Sequence, residues 1–302
     1  MTKAARRPPR RPSPARRQPA RRPPEKPPRR RWGCLTRLLV TVVVLAAAVG
    51  WFWWQQNGLS SETIAVPSAP DGFAGYRIAV ISDLHGKEFG QDNEKLIDYV
   101  RDLEPDLIAV TGDLIHDPAQ MAMVEPVAKG LASIAPAYYV TGNHEWAAKV
   151  VPELEELLEE CGIHVLSNEY VMLTEGGDQI ALVGAEDSNG YADQITVGEL
   201  ADRVRREQGD VYTILLSHRN NHYEQYQEAR VDLTLSGHAH GGLIRLPGTD
   251  GLIGPKRELW PQYTAGLYDL SYGQMVVSRG LGNQFPCFRL FNRPDVPLVV
   301  LE

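Results

Sequence analysis

The run Ile78-Ala79-Val80-Ile81-Ser82-Asp83-Leu84-His85 decides the fold. Its apolar half suits a short buried strand, and its polar half begins where that strand must end. The same shape recurs. Leu107–Val110 runs into Thr111-Gly112-Asp113, and Ala137–Val140 into Thr141-Gly142-Asn143-His144-Glu145. Ile214–Leu216 runs into Ser217-His218-Arg219, and Leu233–Leu235 into Ser236-Gly237-His238-Ala239-His240. Between these strands Asn93–Leu103 reads as a helix with Leu96, Ile97, Val100 and Leu103 on one face. Residues 118–133 and 146–160 read as further helices, the second ending near Cys161-Gly162.

Beyond residue 165 the strands come closer together. Glu169–Leu173 and Gln179–Gly184 read as a hairpin around Glu175–Asp178. Helices are expected at 197–208 and near 220–229. Gln274–Ser278, Phe288–Phe291 and Pro297–Leu301 make a β-rich end. Strand–helix alternation followed by a β-rich half predicts a layered α/β fold with two sheets. No internal repeat is visible.

Strand ends of α/β sheets gather residues distant in sequence at one edge. Seven side chains are candidates to meet there: Asp83, His85, Asp113, Asn143, His218, His238 and His240. One strand-end Asp is usually a turn or cap residue, and one His usually a hydrogen-bonded structural residue. Seven in this order point instead to metal. Oxygen and imidazole donors without thiolate suit manganese, iron, zinc or magnesium.

Charge divides the 302 residues unevenly. Residues 1–37 carry 14 Lys and Arg against one acid, Glu25, which leaves 17 basic and 37 acidic residues in the remainder. The acidic body is a poor match for nucleic acid, so no nucleic-acid partner is expected. The Arg/Pro-rich tail, 1–34, has no apolar period and reads as disordered and cytoplasmic. Residues 35–54 read as a transmembrane signal-anchor helix, because Leu38–Trp54 is apolar apart from Thr41 and Gly50. Trp51, Phe52, Trp53 and Trp54 would form an aromatic belt at its far interface. Positive charge before the span places the catalytic body outside the cytoplasm. The alternative is export after signal cleavage, since Ala46-x-Ala48 resembles a cleavage site. Residues 55–72 read as a linker and 73–302 as the catalytic domain. Cys34, Cys161 and Cys287 have no metal-site spacing.

The segments AspLeuHis, GlyAsp, GlyAsnHisGlu, His and GlyHisAlaHis together resemble those of the calcineurin-like metallophosphoesterase superfamily. AlaHisGlyGlyLeuIleArgLeuPro and ValSerArgGlyLeuGly resemble its bacterial membrane-associated, YkuE-like phosphodiesterase branch. The resemblance covers about residues 75–302 and implies a four-layer αββα sandwich of two mixed sheets. It implies two divalent metal ions, manganese first among them. One would be held by Asp83, His85 and His240, the other by Asn143, His218 and His238, with Asp113 bridging. His144 would contact the phosphate and help protonate the leaving oxygen. The implied reaction is hydrolysis of a phosphodiester or pyrophosphate bond, lipid-linked substrates included, by in-line attack of a metal-bridging hydroxide. A phosphomonoesterase with the same site, or a non-catalytic metal-binding scaffold, is the alternative.

Other residues stay open. His116 lies three residues past Asp113 and could face substrate; His164 and His222 match no motif. Glu145 is expected to cap or orient its loop. Arg219 and Arg279 could bind phosphate or form surface ion pairs. Asp187 resembles a family element without an assigned role. Substrate, metal identity and oligomeric state are not legible here.

Overall fold

Strands with two apolar faces must be covered on both sides, and this chain covers them with different partners. The computed structural model describes residues 33–246, 249–254, 257–283 and 287–302. The tail expected to be disordered lies outside the described residues up to position 32.

The first sheet has six strands in the order β1 (Thr63–Val66), β12 (Leu298–Leu301), β2 (Arg77–Ile81), β3 (Leu107–Val110), β4 (Ala137–Tyr139) and β5 (His164–Val165). Only the β12–β2 pairing is antiparallel. The second runs β10 (Gly266–Asp269), β11 (Gln274–Val277), β9 (Leu233–Gly237), β8 (Tyr212–Arg219), β7 (Asp178–Ala185) and β6 (Glu169–Glu175). Its inner four strands are parallel and both edge pairings antiparallel.

Alternation along each strand assigns the layers. Ile78, Val80, Leu107 and Ala109 of the first sheet pack against Leu182, Ile214, Leu216, Leu233 and Leu235 of the second. Their neighbours Ala79, Ile81, Ile108 and Val110 turn the other way. They meet Leu96 and Val100 of α2 (Glu94–Asp102), Val127 and Leu131 of α3 (Val124–Ala132), and Leu154 and Leu158 of α5 (Val151–Glu160). On the far side Ala181, Val183, Leu215 and Met275 meet Leu200 and Val204 of α6 (Val197–Gln208) and Tyr226 of α7 (Tyr223–Glu228). The result is the expected helix–sheet–sheet–helix sandwich. Each buried Leu, Ile or Val contributes about 1.5–3 kcal/mol, so the three layers of core dominate its stability.

Several expectations need correction. The segment read as a linker, 55–72, contains β1, which pairs in parallel with β12 from Thr63↔Leu298 to Val66↔Leu301. The helix expected at 146–160 is two helices, α4 (Asn143–Ala148) and α5, broken where Lys149 turns left-handed with φ 60° and Pro152 restarts the chain. The helix expected at 118–133 opens as a 3-10 turn, Pro118–Met123, before α3. Phe288–Phe291 is not a strand. It makes one isolated bridge, Ile244↔Leu290, because Arg289 is fully buried between exposed Phe288 and Phe291.

Helix α1 (Cys34–Asn57) contains the expected apolar span and is long and apolar enough to cross a membrane. Its last turns belong to the same unit as the sandwich.

Candidate metal centre

Local chemistry first explains where the side chains lie. β2 and β3 are neighbours in the first sheet and β8 and β9 in the second, and residues that follow these strands come together. The backbone there is unusual. Asp83, His85, Asp113, His238 and His240 have φ of 51°, 50°, 55°, 66° and 49°. Asp and His enter this left-handed region more readily than most residues, yet each such position stores about 1–3 kcal/mol. Neighbouring loops hold the strain: Asp83 N donates to Gly112 O at 3.0 Å, and His85 N to Asp113 O at 2.9 Å.

Glycines permit the close approach. A Cβ on Gly142 would sit 2.2 Å from Asp113 Oδ1, and one on Gly112 2.5 Å from Gly142 N. Asp113 Oδ1 instead accepts from His144 N at 2.9 Å. Asp83 accepts from Ser82 Oγ at 2.7 Å and from His238 N at 3.0 Å.

Two donor groups result. Asp83, His85 and His240 form one, and Asp113, His218 and His238 another, each with ligand atoms within 4.8 Å of one another. Asp113 Oδ2 lies between them, 3.7 Å from His85 Nε2 and 3.1 Å from His218 Nε2. A third grouping joins His85, Asp113 and His144, whose Nε2 is 3.9 Å from Asp113 Oδ2. Asn143 begins α4 beside them.

The fit to cations rests on atoms otherwise unsatisfied. Asn143 Oδ1 is buried without a hydrogen-bond partner, which is costly unless something supplies one, and buried Asp113 Oδ2 meets His218 Nε2 at 3.1 Å. Ring nitrogens face each other at 3.2 Å in both groups, His85 Nε2 with His240 Nε2 and His238 Nδ1 with His218 Nε2. Facing lone pairs repel unless a proton or metal lies between. His85 Nδ1 and His240 Nδ1 also lack partners, and a metal on Nε2 would not supply them.

Burial pushes the His85, His238 and His240 imidazoles below their ordinary pKa, which keeps them neutral and able to coordinate. For His218, burial works against charge, but the Asp113 carboxylate overrides it and raises the imidazole. Burial likewise opposes ionisation of Asp113, yet His218, followed by His85, holds its carboxyl well below the usual range. His218 Nδ1 meets Thr111 O at 2.8 Å, so this nitrogen carries the proton and Nε2 faces the centre.

Glu145, expected to cap or orient its loop, does so and reaches a second loop as well. Fully buried, it accepts from Leu114 N at 2.5 Å, Gly142 N at 3.0 Å and Asp113 N at 3.1 Å. It therefore clamps the two loops that carry Asp113 and Asn143. Burial first, then Asp113, pushes its carboxyl up to about 8. The other candidates separate. His116 sits near the centre, its ring 5.7 Å from that of His85. His164 stacks on Tyr138, away from the cluster, and His222 lies in the 3-10 turn Asn220–His222. Of the two roles left open for Arg219 and Arg279, the structure shows pairing, with Asp187 at 2.7 Å and Asp295 at 2.7 Å, and both carboxylates are buried rather than at the surface. Asp187 thereby gains a role as the anchor of Arg219.

The sequence model of the calcineurin-like phosphoesterase family matches residues 76–242. The chain is similar to the uncharacterized metallophosphoesterase YkuE of Bacillus subtilis, at 29% identity over 80% of this chain and 85% of that protein. It is similar to phosphodiesterase YaeI of Escherichia coli, at 27% over 76% and 84%. A zebrafish transmembrane protein with metallophosphoesterase domain is 30% identical over 79% of this chain and 56% of its own length. Among solved structures, Haemophilus influenzae NAD nucleotidase superposes with a TM-score of 0.46 at 20% identity, covering 68% of this chain and 50% of that one.

Proposed function

This chain belongs to the calcineurin-like phosphoesterase family, and on that premise we propose that it is a membrane-anchored hydrolase of phosphodiester or pyrophosphate bonds, its site built for two divalent cations. It is a metal-dependent phosphoester hydrolase by family; the finer statements are our reading. The observation that carries them is the placing of Asp113 Oδ2 between two donor groups, 3.7 Å from His85 Nε2 and 3.1 Å from His218 Nε2. In this reading Asp83, His85 and His240 hold one cation, Asn143, His218 and His238 the other, and Asp113 both. Two such cations, manganese first among the candidates, supply Lewis acidity and bring the pKa of water toward neutrality.

The chain's own groups do the rest. His144 is the exposed member of the cluster, its side chain 27% accessible, whereas those of His85, His218 and Asp113 are at 1% or less. It can reach a bound ester and give a proton to the leaving oxygen, without which an alkoxide leaves poorly. The His144 ring stands edge-on to His85 at 4.8 Å, and its backbone N–H is fixed on Asp113. Both contacts hold its direction.

Helix α1 supports the anchor, and the Arg-rich segment before it places the body outside the cytoplasm in this reading. A diester or pyrophosphate is preferred over a monoester because a named phosphodiesterase, YaeI, is among the relatives. The test is hydrolysis of bis(p-nitrophenyl) phosphate by the purified full chain with manganese, against Asp113→Ala. Loss of at least about 100-fold is expected, in the range seen when one transition-state contact is removed. Equal rates would sink the reading, and less than one equivalent of transition metal in the native protein would favour a scaffold.

A further inference from the structure

Outside α1, six large apolar side chains are more than a third exposed among the described residues: Tyr191, Leu246, Leu259, Trp260, Phe288 and Phe291. Five of them fall in two segments, 243–263 and 287–293, and these segments are tied together. Arg245 N donates to Leu290 O at 3.0 Å, Leu252 N to Ile244 O at 2.8 Å, and Trp260 N to Leu252 O at 3.0 Å. The isolated bridges Arg245↔Gly251 and Ile253↔Leu259 complete an irregular ribbon. Three strand spacings carry it about 14 Å sideways from Leu290 to Trp260.

One edge of the ribbon is fastened to the last turns of α1. Phe291 packs on Trp51 with ring centroids 5.4 Å apart, Phe288 on Phe52 at 6.0 Å, and the Arg293 guanidinium lies 4.3 Å over Trp54. Gln56 closes the joint, its amide donating to Arg289 O at 2.7 Å and accepting from Arg289 N at 2.9 Å. The other edge forms a wall of a cavity of about 200 Å³, lined by Glu258, Tyr263, Asn220, Tyr223 and His238.

We propose that this ribbon is a second membrane contact, seating Leu246, Leu259, Trp260, Phe288 and Phe291 in the boundary between lipid headgroups and acyl chains. The proposal rests on the membrane-spanning reading of α1. Depth follows from the packing. A span that begins at Leu35 needs about 20 residues to cross about 30 Å of hydrocarbon, and so ends at Trp54. Trp51 to Trp54 therefore reach the far interface, where aromatic rings are favoured. Phe288 and Phe291 touch those rings and share their depth. Exposed apolar side chains gathered on one tied ribbon mark a contact surface rather than scattered surface residues. The cavity beside His238 then opens against the headgroup layer, which selects amphiphilic substrates whose phosphoester lies at that depth.

The experiment uses the full chain in phosphatidylcholine and phosphatidylglycerol vesicles, with Cys34, Cys161 and Cys287 replaced by Ser. An NBD probe is placed singly by Leu259→Cys, Phe291→Cys and, as a control on exposed α2, Asp98→Cys. Lipid carrying a shallow doxyl group should quench the probes at 259 and 291 at least twofold more than the probe at 98. Quenching at 259 and 291 no greater than at 98 overturns the proposal. Leu259→Ser, outside the cavity lining, should keep hydrolysis of the soluble diester and lose at least fivefold on a vesicle-borne phosphodiester; parallel change on both substrates also overturns it. Absence of any hydrolysis by the unmodified chain would strike the hydrolase reading and leave the quenching result to decide docking.

Discussion

Replacing Glu145 by Ala tests whether the centre is held by its supporting carboxylate. Three backbone N–H groups converge on Glu145 at 2.5, 3.0 and 3.1 Å, and one of them belongs to Asp113 itself. A fourth, from Ile115, is at 3.5 Å and too long to count. A stranded buried donor costs about 1–3 kcal/mol, so three could cost about 3–9. Water entering the emptied volume recovers part of this, and removal of a buried carboxyl recovers more. A net loss of about 3–4 kcal/mol is expected, a large share of the roughly 5–15 kcal/mol that holds a folded protein. Glu145→Gln keeps one acceptor oxygen and the volume, and should lose about half as much. Supporting residues of this kind typically change metal affinity by about 10–100-fold. The assay is urea denaturation of the metal-free, detergent-solubilised chain, followed by manganese titration calorimetry. An Ala variant within 0.5 kcal/mol of the parent would refute the clamp, taking about ±0.5 kcal/mol as the range of an ordinary surface change; manganese affinity unchanged in both variants would refute its coupling to the ligands.

Two further changes probe other parts of the site. Gly142→Ala places a methyl 2.2 Å from Asp113 Oδ1, so the Asp113 loop must move; manganese content should fall below half an equivalent while the far-ultraviolet circular dichroism stays unchanged. Glu186 is pushed up to about 7, by burial first and then by Glu155. The folded chain therefore keeps a proton that the unfolded chain releases near 4.5, and this contribution to stability is present at low pH and lost as pH rises through 7. The urea midpoint should decline between pH 5 and 7.5 in the parent and decline less in Glu186→Gln; parallel curves would exclude Glu186 as the source.

Alternation of apolar strand runs with amphipathic helices is written locally, so the layers and most element positions could be read before folding. Helix α6 spans Val197–Gln208 as its period predicts. Its ends are marked by Thr196, whose side chain caps the Glu199 N–H, and by Gly209. Local period failed where a partner came from far away. Thr63–Val66 is four residues with no strong signal, and becomes a strand because the chain's last strand, more than 230 residues on, offers it a parallel edge. Phe288–Phe291 carries a strand-like composition, but Arg289 finds Gly282 O at 2.7 Å in the interior, and the segment follows that contact.

The site divides in the same way. Residue type and strand-end placement named the seven candidate ligands, because oxygen and imidazole donors gather where strands stop, whereas the role of His144 came only with the family resemblance. The sequence by itself determined which atoms are available and at which edge. Tertiary structure alone decided how they meet: left-handed backbone at five candidate ligand positions, Asp113 Oδ2 between two donor groups, and Glu145 reaching the loop that carries Asp113. Each of these depends on loops from different strands bracing one another. A chain read residue by residue has no record of distances between segments, and only packing supplies them.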